Sequence, residues 1–296
     1  MPELITSPSN PKVKRLLALQ QKSSARREAG LFVVEGRREL QHCIDAGFEV
    51  DSVFYCPDLL STPPGGQLPP ETSGCAGPLP SDDGPLPLTM PRVARFPGAV
   101  ATTASQESRA KCFEVSKEVY SKISYREGTE GIIAEVRTPE RKLEDLVLPE
   151  RPLVVVLERV EKPGNLGAVL RSADAVLVCD PLTDLWNPNL IRASVGAVFT
   201  VPCVACSSEA AIAFLKAHGI RILTAQLQDS SLYYDCDMTV GTALVMGTEA
   251  TGLTDAWRAA ADAHIRIPML GRLDSLNVSV SAAILLFEAV RQRQDG

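Results

Sequence analysis

Three short runs in the C-terminal part of the chain put a carboxylate, hydroxyls and an amide beside glycines. They are Gly247-Thr248-Glu249-Ala250-Thr251-Gly252-Leu253, then Ile265-Arg266-Ile267-Pro268-Met269, then Ser275-Leu276-Asn277. A strand-like run at 243–246 leads into the first, and another at 263–267 leads into the other two. Glycine lets a backbone approach a ligand closely, and α/β proteins hold small molecules at strand ends. The chemistry on offer is therefore binding and orientation of a polar small molecule. A tight turn, a helix cap and a satisfied polar pair would explain each run taken singly.

An upstream run makes the set more specific. Asn165-Leu166-Gly167-Ala168-Val169-Leu170-Arg171-Ser172-Ala173-Asp174-Ala175 follows Leu153-Val154-Val155-Val156-Leu157, which reads as a strand buried on both faces. Pro163-Gly164 makes the turn, and Asn165 is expected to cap a helix. Arg171 then falls about one and a half turns beyond that cap. Strand, turn and helix would hold an amide and a guanidinium near one strand end. A further run, Leu185-Trp186-Asn187-Pro188-Asn189 followed by Arg192-Ala193-Ser194-Val195-Gly196-Ala197, reads as a turn and a short helix.

In this order, these runs resemble the motifs of the SpoU branch of the SPOUT RNA methyltransferases. Asn165 and Arg171 match the first motif, residues 187–197 the second, and residues 247–253 and 267–277 the third. The resemblance covers 152–293 closely, 4–56 and 112–138 more weakly, and 61–107 not at all. It implies a mixed α/β chain: a C-terminal trefoil-knot methyltransferase domain on a parallel sheet, preceded by a small α/β ribosomal-protein-like RNA-binding domain. It also implies S-adenosylmethionine as cofactor, a ribose 2′-hydroxyl as acceptor, and a homodimer formed through the C-terminal domain. Ribosomal RNA is favoured over transfer RNA as substrate.

By this resemblance Asn165, Arg171, Glu249, Ser275 and Asn277 form the active site, and Gly247, Ile267, Leu276 and Ala225 hold the cofactor. The family's proposed activator of the hydroxyl corresponds to Arg171. A guanidinium effectively never deprotonates in a protein, so Arg171 is better read as holding the neighbouring phosphate and stabilising the developing alkoxide. Asn165 would position Arg171 or the ribose, Glu249 would orient Arg171, and Ser275 and Asn277 would shape the loop and contact the nucleotide. The plainer roles are an ion pair for Glu249, a helix cap for Asn277 and core packing for Ile267 and Leu276.

Charge supports an RNA partner locally. The 296 residues carry a net −6, but residues 1–40 hold eight Lys or Arg against four Glu, a local +4. Lys12, Lys14, Arg15, Arg26, Arg27 and Arg37 are the candidate phosphate contacts in this arm; a solvated helix face is the plain alternative. No run approaches the roughly 18 apolar residues of a membrane span, and no apolar signal region opens the chain. A cytoplasmic protein is expected. Its eight cysteines are scattered as reduced thiols would be. Cys203-Val204-Ala205-Cys206 has no second pair and no histidine at ligand spacing, so no metal is expected.

Alternation of elements organises the rest. Residues 10–29 are expected to be helical, with Asn10 as cap, Pro11 at the first position and an apolar stripe of Val13, Leu16, Leu17 and Leu19. Strands at 31–34 and 50–55 flank a helix at 37–46 closed by Gly47. These elements, with 116–136, make the first domain, 1–138. Ten prolines between Pro63 and Pro97 mark 61–107 as a disordered insertion. Residues 139–151 are the expected linker and 152–296 the second domain. There, helices are expected at 208–218, 254–261 and 279–292, with strands at 221–225 and 243–246. The last helix is apolar nearly all round and so needs cover on every side.

One departure from the family pattern bears on activity. Relatives usually carry several more residues between the first-motif helix and the next strand, whereas here Ala175 runs straight into Val176-Leu177-Val178-Cys179. Either the helix ends early or the strand is shortened, and either would shift Arg171. A catalytically impaired RNA-binding or ribosome-assembly protein on the same scaffold is therefore the second reading. A dinucleotide-binding enzyme lacks the Gly-x-Gly-x-x-Gly it would need after the first strand.

Overall fold

The computed structural model describes residues 2–60, 110–125, 130–248, 251–271 and 275–294. The expected disordered insertion at 61–107, residues 126–129 of the first domain's closing run, and the candidate Glu249 lie outside the described residues. The chain forms two compact units, one of residues 1–90, 98–139 and 186–188, the other of 91–97, 140–185 and 189–296. Among the described residues no helix is long and apolar enough to cross a membrane.

The first unit is a five-stranded mixed sheet with helices. In chain order it runs β1 (Glu3–Ile5), α1 (Pro11–Gln21), α2 (Ser23–Ala29), β2 (Leu31–Glu35), α3 (Arg37–Asp45), β3 (Val50–Tyr55), β4 (Lys111–Val115), α4 (Lys117–Ile123) and β5 (Ile132–Arg137). Sheet order is β1-β4-β3-β5-β2, with β5 antiparallel to both its neighbours. Asn10 caps α1 as expected, its side chain accepting from the Lys12 amide at 2.9 Å. Val13, Leu16 and Leu19 are buried.

The expected single helix over 10–29 is two helices. Lys22 is extended between them, and the two serines that follow favour a fresh start over a helix interior. The break exposes the last carbonyls of α1, and Arg26 answers them. Its guanidinium is buried and donates to the carbonyls of Leu19 and Gln20 at 2.5 and 3.3 Å. Arg26 is thus a helix-end contact, not an exposed phosphate ligand, which corrects its expected role.

The second unit is a seven-stranded parallel sheet covered on both faces. It comprises β6 (Leu153–Glu158), α5 (Pro163–Val169), β7 (Ala175–Cys179), α6 (Pro188–Ser194), α7 (Ala197–Thr200), β8 (Cys203–Cys206), α8 (Ser208–Ala217), β9 (Arg221–Ala225), β10 (Ser231–Leu232), β11 (Thr242–Met246), α9 (Asp255–Ala260), β12 (Ala263–Arg266) and α10 (Val278–Gln294). Sheet order is β10-β12-β9-β11-β6-β7-β8, and every pairing is parallel. From β6 the chain builds outward through β7 and β8, then returns to the opposite side of β6 for β9 and β11. Such a reversal leaves a crevice beyond the strands' carboxyl ends.

Two expectations about the first motif need correction. Asn165 is not the cap of α5. Lys162 is extended and Pro163 takes the first helical turn, where its fixed φ and missing N–H are at no disadvantage, so Asn165 lies inside the helix. The short link after α5 is met by the helix ending early: α5 stops at Val169, and β7 is complete from Ala175. Arg171 therefore sits on the turn after the helix. Gly167 lets α5 lie close against α6, since a Cβ there would stand 2.7 Å from the Ala193 Cβ.

The last helix is pinned at its far end. Arg293 donates to the carbonyls of Met238 (3.0 Å), Arg151 (3.0 Å), Pro152 (3.2 Å) and Val240 (2.7 Å). Ala282, Leu285, Leu286 and Ala289 are buried, while Val280, Phe287 and Val290 are exposed.

Candidate active site

A cleft of about 380 Å³ opens at the carboxyl ends of β9, β11 and β12. That size is typical of small-molecule sites. Ala225, Gly247, Ile267 and Leu276, far apart in sequence, all line it, as does Ser275. Its floor depends on a close backbone approach. A Cβ on Gly247 would lie 2.3 Å from the carbonyl carbon of Gly252, and Gly252 itself has φ +68°, which favours glycine. The loop between them closes on itself: the Gly252 amide donates to the Thr248 carbonyl at 3.1 Å, and the Thr251 amide donates to Thr248 Oγ1 at 2.9 Å.

The two asparagines of the first and third motifs meet. Asn277 Nδ2 donates to Asn165 Oδ1 at 3.1 Å, across 112 residues of chain. Asn277 is also the cap of α10, its Oδ1 accepting from the Ser279 amide at 3.0 Å and the Ser279 hydroxyl at 2.6 Å. The two roles use different atoms of one carboxamide, so cap and tie coexist. Arg171 is exposed on its turn, and among the described residues its guanidinium has no hydrogen-bond or ion-pair partner.

Of the basic arm, Lys14 and Arg27 are exposed and Arg37 is half-buried. Lys12 pairs with Glu3 and lies over the Phe113 ring, 4.5 Å from its centroid. Arg15 is engaged by Glu135, a fully buried carboxylate that also accepts from Ser52 Oγ at 2.6 Å. Lys12 and Arg15 are therefore partly committed within the unit.

Sequence reasoning missed two groups. Gln226, directly after the expected Ala225, lines the cleft with a buried Oε1 that has no hydrogen-bond partner among the described residues. A buried acceptor left open is costly, and a ligand donor would satisfy it. Glu158 is the other. This carboxylate, 2% exposed at the end of β6, accepts from the Thr254 amide (2.9 Å), the Thr254 hydroxyl (2.7 Å) and Ser208 Oγ (3.4 Å). It ties the strand ahead of the first motif to the residue closing the Gly247–Leu253 loop. The available signal was a lone carboxylate ending a fully apolar strand.

Glu158→Ala removes the buried carboxylate that accepts from the Thr254 amide, the Thr254 hydroxyl and Ser208 Oγ. We expect a loss of about 2–3 kcal/mol in unfolding free energy, read by urea denaturation. An unchanged midpoint would show that water replaces the carboxylate.

The open acceptor at Gln226, the side-chain-free approach at Gly247 and the apolar walls from Ile267 and Leu276 fit a ligand with a flat apolar face and polar edges. Arg258 and Arg266 add two guanidinium groups to the lining, suited to a carboxylate on such a ligand.

Comparison with known proteins agrees with this geometry. Residues 152–287 match the SpoU rRNA Methylase family, and residues 10–72 match an MRM3-like substrate binding domain. The chain is 27% identical over 298 residues to the 23S rRNA (uridine(2479)-2′-O)-methyltransferase of Streptomyces viridochromogenes, covering 97% of this chain and 92% of that one. It is 38% identical over 168 residues to the tRNA (guanosine(18)-2′-O)-methyltransferase of Escherichia coli, covering 52% and 70%. The crystal structure of an AdoMet-bound rRNA methyltransferase from Sinorhizobium meliloti aligns with TM-score 0.76 at 26% identity, over 98% of this chain and 97% of that one. The matched strand ends, the crevice they surround and these likenesses lead to one statement: this chain belongs to the SpoU rRNA methylase family.

Proposed function

We propose that this protein transfers a methyl group from S-adenosylmethionine to a ribose 2′-hydroxyl of RNA. The observation that carries this reading is the convergence of Ala225, Gly247, Ile267 and Leu276 on one cleft, with Ser275 on its wall and the Asn165–Asn277 pair beginning one residue further on. In this reading Ile267 and Leu276 flank the adenine, the Gly247 backbone meets the nucleoside edge, and Gln226 Oε1 accepts from a ribose hydroxyl. When bound, S-adenosylmethionine supplies an electrophilic methyl carbon. The protein's own task is to hold the acceptor ribose in line and to favour loss of its proton.

Arg171 keeps its positive charge throughout, holds the phosphate beside the target ribose and stabilises the developing alkoxide. Asn165, fixed by Asn277, positions the ribose, and Glu249 orients Arg171. Lys14, Arg27 and Arg37, with the free faces of Lys12 and Arg15, contact phosphates. Residues 1–138 act as the RNA-holding domain, 139–151 as linker and 152–296 as the catalytic domain, threaded as a trefoil. Ribosomal RNA is the preferred substrate: the relative named for it matches along nearly the whole chain, the one named for transfer RNA over about half. We place the protein in the cytoplasm, where scattered thiols stay reduced.

The test is tritium transfer from labelled S-adenosylmethionine onto unmodified ribosomal and transfer RNA, with alkali-resistant positions mapped. One labelled ribose is expected. Failure with both RNAs, together with no rise in melting temperature on adding the cofactor, would favour the second reading, an RNA-binding scaffold without transfer. That reading follows from the early end of α5, which leaves Arg171 exposed on the turn after it.

The exposed Val280, Phe287 and Val290 on α10 support a homodimer through this helix. Phe287→Glu should convert the dimer to monomer in sedimentation velocity, because it places a charge in an apolar interface. A wild-type chain that sediments as monomer would remove the dimer from the proposal.

A further inference from the structure

The Cys203-Val204-Ala205-Cys206 run has no role in the site described above, yet one of its thiols has a neighbour. On β8, positions three apart face opposite sides of the sheet, so Cys203 and Cys206 are not each other's partners. Cys206 stands in register with Cys179 on β7, and their sulfurs are 3.9 Å apart. Paired strands lie about 4.7–4.9 Å apart, within the roughly 4.4–6.8 Å that a disulfide spans between Cα atoms. Rotation about the side-chain bonds, with a small shift of β8 toward β7, brings the sulfurs together.

The two thiols differ in the way such a pair requires. Cys206 is half-buried and Cys179 fully buried, so reagent meets Cys206 first and Cys179 waits behind it. The hydrogen bond between the two thiols holds Cys206 below the usual thiol range and pushes Cys179 up, burial adding to the latter. Cys203, wholly enclosed, is pushed up to about 12 by burial and is inert by comparison. Among the described residues no three His, Cys, Asp or Glu side chains are grouped to hold a metal ion.

We propose that Cys179 and Cys206 are a dithiol that hydroperoxides convert reversibly to a cross-strand disulfide. The Cys206 thiolate attacks the peroxide, its sulfur is oxidised to a sulfenic acid, and the peroxide O–O bond breaks. The Cys179 sulfur then attacks the sulfenic sulfur and water leaves. Two thiols and one hydrogen peroxide become one disulfide and two waters. A dithiol reductant reverses the change by exchange.

The bridge would reach the cleft through hydrogen bonds. The Asp180 amide donates to the Cys206 carbonyl at 2.9 Å, and Ser208 Oγ donates to Asp180 Oδ2 at 2.7 Å while also reaching Glu158. Glu158 in turn anchors Thr254 beside the Gly247–Leu253 loop. Drawing Cys206 toward Cys179 pulls on this chain, so oxidation lowers methyl transfer. That consequence rests on the methyltransferase reading; disulfide formation does not.

The experiment treats the full chain with hydrogen peroxide, blocks free thiols, digests without reductant and measures peptide masses. A Cys179–Cys206 linked pair is expected in wild type and in Cys203→Ser, is absent from Cys206→Ser, and disappears on adding dithiothreitol. A Cys203–Cys206 link, or Cys206 recovered only as sulfinic or sulfonic acid, overturns the proposal. In parallel, transfer should fall several-fold on oxidation and recover with dithiothreitol, with no reversible loss in Cys206→Ser. A linked pair with full transfer overturns the coupling to the cleft. Reduced protein that transfers nothing counts against the methyltransferase reading, while the mass result still decides the disulfide.

Discussion

Replacing Gly247 by alanine should abolish cofactor binding and, with it, methyl transfer. The new Cβ would stand 2.3 Å from both the carbonyl carbon and oxygen of Gly252, and 2.6 Å from the Leu253 nitrogen. All three are backbone atoms, so no side chain can turn aside. Gly247 directly follows β11, which is held between β9 and β6 in the middle of the sheet, so the far side must move. Pushing residues 248–253 outward reshapes the wall of the cleft and costs about 1–3 kcal/mol of stability, as overpacking generally does. The decisive readout is ligand-induced stabilisation. At roughly 100 times its Kd a ligand adds about 2.7 kcal/mol; wild type should show this with S-adenosylmethionine and Gly247→Ala should not. A folded variant with a wild-type thermal shift would mean that the cofactor does not use this approach.

Arg171→Ala should separate the two halves of the reaction. Arg171 does not line the cleft, so cofactor stabilisation should stay within a few-fold of wild type. Transfer should fall by about 10²–10³-fold, the usual cost of removing a group aimed at developing negative charge. Arg171→Lys should recover little, because an ammonium does not reproduce the planar two-pronged contact with phosphate. Equal loss of binding and transfer would move Arg171 from the substrate to the cofactor. Unchanged transfer would mean that the early end of α5 has taken Arg171 out of the reaction.

How much of this was legible in the sequence depended on how local each cause was. The strands Val50–Tyr55 and Arg221–Ala225 were read to the residue, because each is an apolar, β-rich run with polar or glycine punctuation. The cap at Asn10 was read because cap and first-turn proline adjoin. Asn165 was misread by the same logic: it is a good capping residue, but Pro163 two positions earlier began the helix first. The buried role of Arg26 could not be seen, since it depends on a break at Lys22 that frees the carbonyls of α1. Gln226, Glu158 and the Asn165–Asn277 bond belong to contacts between distant segments, and no periodicity encodes them. The third-motif runs at Gly247 and Ile267, by contrast, could be picked out because each directly follows a strand, and strand ends are where this architecture gathers chemistry.

The four carbonyls bound by Arg293 have a consequence for how the protein is made. Two of them, those of Arg151 and Pro152, lie at the threshold of β6, the first strand of the larger sheet and a central one. The staple therefore joins the first part of this unit to emerge from the ribosome to nearly the last, across about 140 residues. Contacts of such sequence separation form slowly. During translation β6 must wait with its leading edge unsecured and a run of valines exposed, and the unit can complete itself only once residue 293 is free. The contact that secures the threshold of β6 is therefore among the last to form as this unit folds.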